Sequence, residues 1–239
     1  VGAGDRLVGV SEHSDFPPEA RRLPRVGGLE VSAERVAELS PDLVLATREG
    51  NRRGPVTALA AAGIDVELVP GGSLDEVVAG IRAVGRRVGA SEESERLARS
   101  LENRKAQVAQ RVSARARPRA ILLVWPDPPQ AAGGGTFLDD VLVRAGAANL
   151  LSDKPGWPVV SAEWLATAPI EVLVVPDSPG NRAAFDASRS SGALSRGAAG
   201  RARLIRIPED LLTRPGPRVF DALEELERAI AADLGSDSR

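Results

Sequence analysis

The chain has no cysteine and no methionine, and one histidine in 239 residues. Without cysteine there can be no disulfide, no thiolate metal site and no cysteine nucleophile. A single histidine excludes a two-histidine metal site, and with no serine elbow of the hydrolase kind it argues against a hydrolase triad. Aromatic residues make up only 3%, so the cores are built from Ala, Val and Leu. Charge of one sign is also lacking: 31 basic and 33 acidic side chains leave a formal net charge of −2, which argues against a nucleic-acid protein. Arginine far outnumbers lysine, which reads as a base-composition bias rather than chemistry. No apolar run is long enough to span a membrane, and no signal peptide is visible. The lack of cysteine fits an exported protein. The chain does not begin with Met, the mark of a processed, trimmed or wrongly started product. Its opening, Val1-Gly-Ala-Gly4, has the look of a helix end turning into a strand, so a strand and helix are expected ahead of residue 1.

What is present is one pattern written twice. In the first half an apolar run, Leu7 to Val10, leads through a polar loop to a short amphipathic stretch, Ser32 to Leu39, then a Pro-Asp turn and a second apolar run, Leu43 to Ala46. In the second half Ile121 to Trp125 is the first run, Ser161 to Ala168 the short stretch, and Val172 to Val175 the second run. Leu7 to Val10 reads as a short buried strand. Leu43 to Ala46 is continuously apolar, as in a parallel strand covered on both faces. An Ala-rich helix, Pro55 to Ala62, ends at Gly63, and Ile64 to Val69 is the next strand. Strand–helix–strand alternation at this spacing predicts parallel pairing.

Ser73 caps a helix running to about Val88, with Leu74, Val77, Val78, Ile81 and Val84 at helical spacing. Ser91 starts another, which runs without Gly or Pro to about Arg115 and would measure roughly 37 Å at the helical rise. Its apolar positions keep no heptad, and it reads as a rigid connector. The reading is therefore α/β: two similar Rossmann-like lobes with parallel sheets, residues 1–90 and 117–239, joined by a connector helix over 91–116. The first lobe is expected to lack its amino-terminal strand and helix.

Beyond Pro118, Ile121 to Val124, Val172 to Val175 and Leu204 to Ile207 read as strands, and Phe137 to Ala145 and Val219 to Leu234 as helices. Ala131 to Thr136 reads as a flexible loop, and Ala187 to Gly200 as a mobile surface loop. Gly133-Gly-Gly135 lacks the Gly-Lys-Ser/Thr of a nucleotide-binding loop and the spaced glycines of a dinucleotide fingerprint. Asp139 and Asp140 stand at a helix start, where a favourable interaction with the helix dipole outweighs acid–base catalysis as a reading. What remains is a ring of loop residues at strand ends: His13, Asp15 and Phe16; Arg48, Glu49 and Asn51; Trp125, Asp127 and Gln130; Trp157; and Asp210. In open parallel sheets ligands sit beyond the carboxyl ends of the strands. Two of the three tryptophans and the only histidine fall in this set.

At these residues the chain resembles a known family. Ser11-Glu-His-Ser-Asp-Phe-Pro-Pro-Glu-Ala20, Pro41-Asp-Leu-Val-Leu45, Asp127-Pro-Pro, Thr136-Phe-Leu-Asp-Asp140, and Asp210 with Arg214-Pro-Gly-Pro-Arg218 are similar to the helical-backbone (class III) substrate-binding proteins of ABC importers. These serve cobalamin (vitamin B12), haem and iron–siderophore uptake, and the similarity is greatest to the cobalamin branch. The resemblance covers nearly the whole chain through the order and spacing of its motifs.

The resemblance implies two α/β lobes holding a ligand in the cleft between them, no catalysis and no cofactor. It also implies an ABC permease and its ATPase as partners, a monomer, and a periplasmic or lipid-anchored place at the cell surface. It marks His13, Asp15, Phe16, Arg48, Trp125, Gln130, Trp157 and Asp210 as ligand contacts. His13 stands where cobalamin binders often carry an aromatic contact; it reads as such a contact or as a solvated loop histidine, and a neutral imidazole can also donate to cobalt or iron. Trp157 matches a family tryptophan that packs on the ligand. Asp210 matches a cleft-edge acceptor for ligand amides, with helix N-capping as the alternative. Arg48 would meet an acidic ligand group. Glu34 and Glu163, at matching places in the two short helices, match glutamates that pair with permease arginines. Three departures bear on the ligand. Gln130 stands where an aromatic is expected, Thr47 likewise, and Val26 to Leu29 lacks a tryptophan. These keep an iron–siderophore or haem receptor open beside a corrinoid receptor. A cytosolic chelate-binding module without a transport role is a further alternative.

Overall fold

The computed structural model describes residues 1–28, 31–47 and 53–234. The chain divides into two compact units, Val1–Gly71 with Val78–Arg99, and Gly72–Val77 with Ser100–Arg239.

The first unit opens with 3-10 turns at Gly4–Arg6 and Pro18–Arg22. It continues with α1 (Ala33–Glu38), β1 (Val44–Thr47), α2 (Arg53–Ala61) and β2 (Val66–Val69), and holds most of α3 (Leu74–Arg87) and the start of α4 (Ser91–Val112). β1 and β2 pair in parallel, from Val44 with Val66 to Thr47 with Val69, as expected of a strand–helix–strand unit. Gly63, at φ +81°, ends α2.

The expected strand over Leu7 to Val10 does not form. Only Val10 makes a bridge, with Arg25, through Val10 N–H to Pro24 O (2.9 Å) and Val26 N–H to Val10 O (3.1 Å). The next ladder bond toward Val8 would require an N–H on Pro24, which proline lacks. Leu7 and Val8 are accordingly 44% and 48% exposed rather than buried. β1 is not covered on both faces either: Ala46 is buried and Leu45 exposed.

α3 buries Leu74, Val77, Val78 and Ile81, the stripe the spacing predicts. Its first turn is held by Ser73 Oγ, which accepts from Glu76 N–H (3.1 Å), and by Glu76, which accepts from Gly72 N–H (2.9 Å). Gly89 at φ +66° ends it. α4 then starts close beside it, since a Cβ on Gly85 would overlap the Ser94 side chain. That approach explains why a serine, buried and donating to Ser91 O (2.9 Å), stands where a capping glutamate would otherwise serve. Glu95 is gripped by Arg82 (2.7 and 3.2 Å) and Arg99 (2.8 Å). α4 spans 22 residues, about 33 Å at the helical rise.

The second unit is built on a sheet of β3 (Arg119–Pro126), β4 (Pro129–Ala131), β5 (Ala148–Asn149), β6 (Val172–Asp177) and β7 (Arg203–Pro208). The order is β4-β3-β6-β7, with β5 also on β3; β4 is antiparallel and the rest parallel. β3 and β6 are apolar on both faces, as central parallel strands must be. Ile121, Leu123, Leu173 and Val175 share one core with Leu165, Phe185 and Leu194. Around the sheet lie α5 (Phe137–Arg144), α6 (Ala162–Thr167), α7 (Pro179–Ser191), α8 (Gly197–Arg201), α9 (Glu209–Leu212) and α10 (Val219–Leu234). α4 and α10 are tied by Arg104 to Glu224 (2.7 Å) and Asp221 (2.6 Å), and by Arg111 to the fully buried carboxylate of Glu227 (2.9 Å), which Arg115 also meets.

Two loops expected to be mobile are packed structure. Ala187 to Gly200 holds the end of α7 and the start of α8. Leu194 and Ala199 there are fully buried, so the small residues of this stretch serve close packing rather than freedom. Ala131 to Thr136 is stitched to residues 151–156. Gly133 N–H donates to Gly156 O (2.9 Å), and Gly134 N–H to Leu151 O (3.1 Å) and Lys154 O (2.8 Å). A Cβ on Gly133 would overlap Lys154 O, and one on Gly134 would overlap Ser152 O.

Two outcomes follow for stability. Gly134→Ala drives a methyl into a backbone carbonyl that cannot turn away, and should cost about 2–3 kcal/mol, read as a lowered urea midpoint. The Arg82 and Arg99 guanidiniums hold the Glu95 carboxyl down from 4.5 to about 2. Its contribution is therefore complete above about pH 4.5 and is lost as pH falls toward 2. In a urea-midpoint series from pH 7 to pH 2, Glu95→Gln should flatten the acid decline, and an unchanged slope would contradict this.

Candidate functional site

The exposed end of the second unit is shaped by β3 and β4. β3 runs to Trp125 and Pro126, turns at Asp127, and returns as β4 with Trp125 paired to Gln130. A register shift between Leu123 and Trp125 re-aims the last residues of β3. β4 is paired on its other side too. Ala131 N–H donates to Pro158 O (3.0 Å), Val160 N–H donates to Pro129 O (2.9 Å), and Gln130 bridges Val159. Partners directly opposite in such a ribbon share a face, so Trp125, Gln130 and Val159 form one row. Trp157, two residues before Val159, belongs to the same face. The Trp125 indole N–H donates to Asp127 O (2.7 Å), and the Gln130 amide donates to Trp157 O (3.4 Å).

Trp125, Trp157 and Val159 are 49%, 47% and 60% exposed, although most of this unit's apolar side chains are buried. The third tryptophan, Trp164, packs on the core. Two indoles and a valine around a neutral amide make an apolar platform with one hydrogen-bonding group, suited to the face of a large, flat, partly apolar molecule. Val159 was not foreseen; the Trp-Pro-Val-Val run was its one sequence signal.

Asp210 lies beyond the end of β7, two strands from β3 and so about 10 Å along the sheet. It does not cap a helix: Pro208 holds the N-cap of α9, and Asp210 sits in the first turn, accepting from Arg218 (2.7 Å). At the end of β6, the bond from Arg182 holds the Asp177 carboxyl below its ordinary range. Asp139 and Asp140 are structural. Asp139 accepts from Gly135 N–H (3.2 Å) and Asn149 (2.8 Å); Asp140 accepts from Leu74 N–H (2.8 Å) and Arg144 (2.7 Å).

In the first unit, residues 11–14 form a turn clamped by Arg25, which donates to Ser11 O (2.6 Å) and Ser14 O (2.7 Å). His13 is exposed at its tip. A Cβ on Gly28 would stand 3.0 Å from Glu12 Oε2 and 3.5 Å from His13 Nε2, so glycine there leaves room for both side chains. Asp15 O accepts from Arg21 (3.2 Å), and Phe16 is exposed. His13, Asp15 and Phe16 thus share one stretch of surface. The Arg25 clamp escaped sequence reasoning because nothing in the sequence marks an arginine eleven residues away as its partner. Arg48, with Glu49 and Asn51, lies outside the described residues.

Glu34 and Glu163 occupy equivalent places. Each is the second residue of a six-residue helix whose cap is a serine: Ser32 accepts from Arg35 N–H (3.3 Å), and Ser161 from Trp164 N–H (3.1 Å). Both glutamates are exposed. Among the described residues no cluster of three or more His, Cys, Asp or Glu could hold a metal ion, and no helix is long and apolar enough to cross a membrane.

Known proteins share this fold over nearly the whole chain. An uncharacterized ABC transporter substrate-binding lipoprotein of Bacillus subtilis is 29% identical, over 98% of this chain and 76% of its own length. A vitamin B12-binding protein of Pectobacterium carotovorum is 28% identical, over 100% of this chain and 86% of its own. The periplasmic heme-binding protein RhuT from a Roseiflexus species, solved in its apo form, superposes with a TM-score of 0.83 at 29% identity, covering 95% of this chain and 90% of that one. The periplasmic binding protein model matches residues 1–209. The chain belongs to the periplasmic binding protein family, among the substrate-binding proteins of ABC importers.

Proposed function

We propose that this protein captures a metal chelate, a corrinoid such as cobalamin, and hands it to an ABC permease and its ATPase from the periplasm or from a lipid anchor at the cell surface. The observation that carries the reading is the indole platform of Trp125 and Trp157 around Gln130. Cobalamin offers apolar ring edges and many carboxamides. The indoles would cover the former, and the Gln130 amide and the Asp210 carboxylate would meet the latter. The likeness to a vitamin B12-binding protein supports the same ligand. No bond is made or broken in this reading; affinity comes from a preformed surface that loses little freedom on binding.

A haem or iron–siderophore receptor is the second reading. It is favoured by the likeness to a heme-binding protein and by the exposed imidazole of His13 on its clamped turn, a nitrogen donor suited to iron. His13, Asp15, Phe16 and Arg48 are the contacts proposed on the first unit in either reading. Glu34 and Glu163 are proposed to pair with permease arginines, steering the approach more than holding the complex.

Isothermal titration and thermal shift with cyanocobalamin, haemin and a ferric hydroxamate separate the readings. Cyanocobalamin is expected to raise the melting temperature, and Trp125→Ala and Trp157→Ala each to weaken it about 10- to 100-fold. A response to haemin alone, abolished by His13→Ala, would establish the second reading, and no response to any of the three would refute both. Glu34→Ala with Glu163→Ala is expected to leave ligand affinity unchanged and to slow association with the permease about tenfold at low salt.

A further inference from the structure

The turn that carries His13 also carries an acid aimed at the same place. Glu12 Oε2 and His13 Nε2 lie 3.0 and 3.5 Å from the position a Cβ would take on Gly28, so carboxylate and imidazole converge over one bare stretch of backbone. The main chain beneath them is fixed. Glu12 N–H donates to Gly27 O (2.9 Å), Arg25 ties the carbonyls of Ser11 and Ser14, and the two serine hydroxyls share a hydrogen bond (2.8 Å). Both Glu12 and His13 are exposed, and among the described residues no hydrogen bond or ion pair engages either side chain. Glu12 is therefore an unspent acceptor beside the imidazole. The second unit shows the same bias. Gln130 turns its amide NH2 toward Trp157 O (3.4 Å), and a carbonyl can only accept, which fixes the orientation of the amide. The Gln130 oxygen then faces away from that carbonyl as an acceptor on the platform, while the Trp125 indole N–H is spent on Asp127 O (2.7 Å).

We propose that Glu12 is a specificity-determining residue, selecting chelates whose edge carries uncharged amides and rejecting those that present carboxylates to the His13 turn. The inference rests on the receptor reading and narrows its ligand class. An amide N–H satisfies the acceptors at Glu12 and at Gln130. A ligand carboxylate offers them no donor and sets like charge against like at Glu12. Two carboxylates about 6 Å apart repel by enough to change affinity roughly 3- to 100-fold, the lower figure in the screening of water and the higher in that of a protein surface. Most of the discrimination thus comes from the penalty on the wrong ligand rather than from the gain on the right one.

The test is calorimetric titration of the full chain, at low and high salt, with two corrinoids that share a ring. Dicyanocobinamide carries amides around its edge, and dicyanocobyrinic acid carries carboxylates in the same places, so the outcome does not depend on which edge meets the turn. The wild type is expected to favour the amide form by more than about tenfold. Glu12→Gln should raise affinity for the acid about tenfold at low salt and by less at high salt, with affinity for the amide form within about twofold and the melting temperature unchanged. Glu38→Gln, the same charge change at an exposed position on α1, should leave the amide-to-acid ratio within about twofold. A ratio in Glu12→Gln within twofold of the wild type, or an equal shift in Glu38→Gln, would overturn the proposal, the latter by reducing it to bulk charge. A wild-type preference for the acid, or a response to haemin alone, would overturn it too while leaving a chelate receptor standing. A wild-type chain that binds neither corrinoid nor haemin would instead overturn the receptor reading itself.

Discussion

Two backbones run side by side where Gly133 and Gly134 meet residues 151–156, and the exposed end of the second unit depends on that approach. The N–H groups of both glycines are spent on carbonyls of the facing segment, at a separation no side chain could share. Thr136 donates to Gly133 O (2.8 Å) and caps α5. Buried Asn149 bonds Ala132 O (3.0 Å), Asp139 (2.8 Å) and Leu151 N–H (3.0 Å), closing the junction with satisfied polar groups. The segment that leaves this junction carries Trp157 and pairs with β4. Position of the indole is thus inherited from backbone hydrogen bonds rather than from packing of the ring.

Held in this way, two indoles can stand half in water without collapsing onto the core. Exposed tryptophan area is unfavourable in isolation; in the proposed reading a bound ligand would cover it. The same logic runs through the first unit, where Arg25 grips both ends of a four-residue turn and leaves His13 at its tip.

Arginine serves as the fastener throughout. Arg82 on Glu95 joins α3 to α4, Arg104 on Asp221 and Glu224 and Arg111 on Glu227 join α4 to α10, and Arg144 on Asp75 joins α5 to α3. The long apolar stem of arginine lets its guanidinium reach a carboxylate on a neighbouring helix. Glu227 is the strictest case, since its buried carboxylate without those arginines would be an uncompensated charge.

Composition, period and capping were enough to determine the α/β class, the parallel pairing of β1 with β2, and the short helices that present Glu34 and Glu163. Those features are local, set by a 3.6 or a 2 residue repeat and by side chains that bond a few residues away. The grouping of Trp125, Gln130 and Trp157 was legible only as a set of strand-end residues. Their shared face required β4 and residues 158–160, segments too short to show a period. The loss of the strand at Leu7 turned on one missing N–H at Pro24, seventeen positions along. The glycines read as loose, Gly133 and Gly134, proved to be close backbone approaches, because whether a glycine frees the chain or lets another segment through is decided by what lies opposite it, which only the tertiary structure supplies.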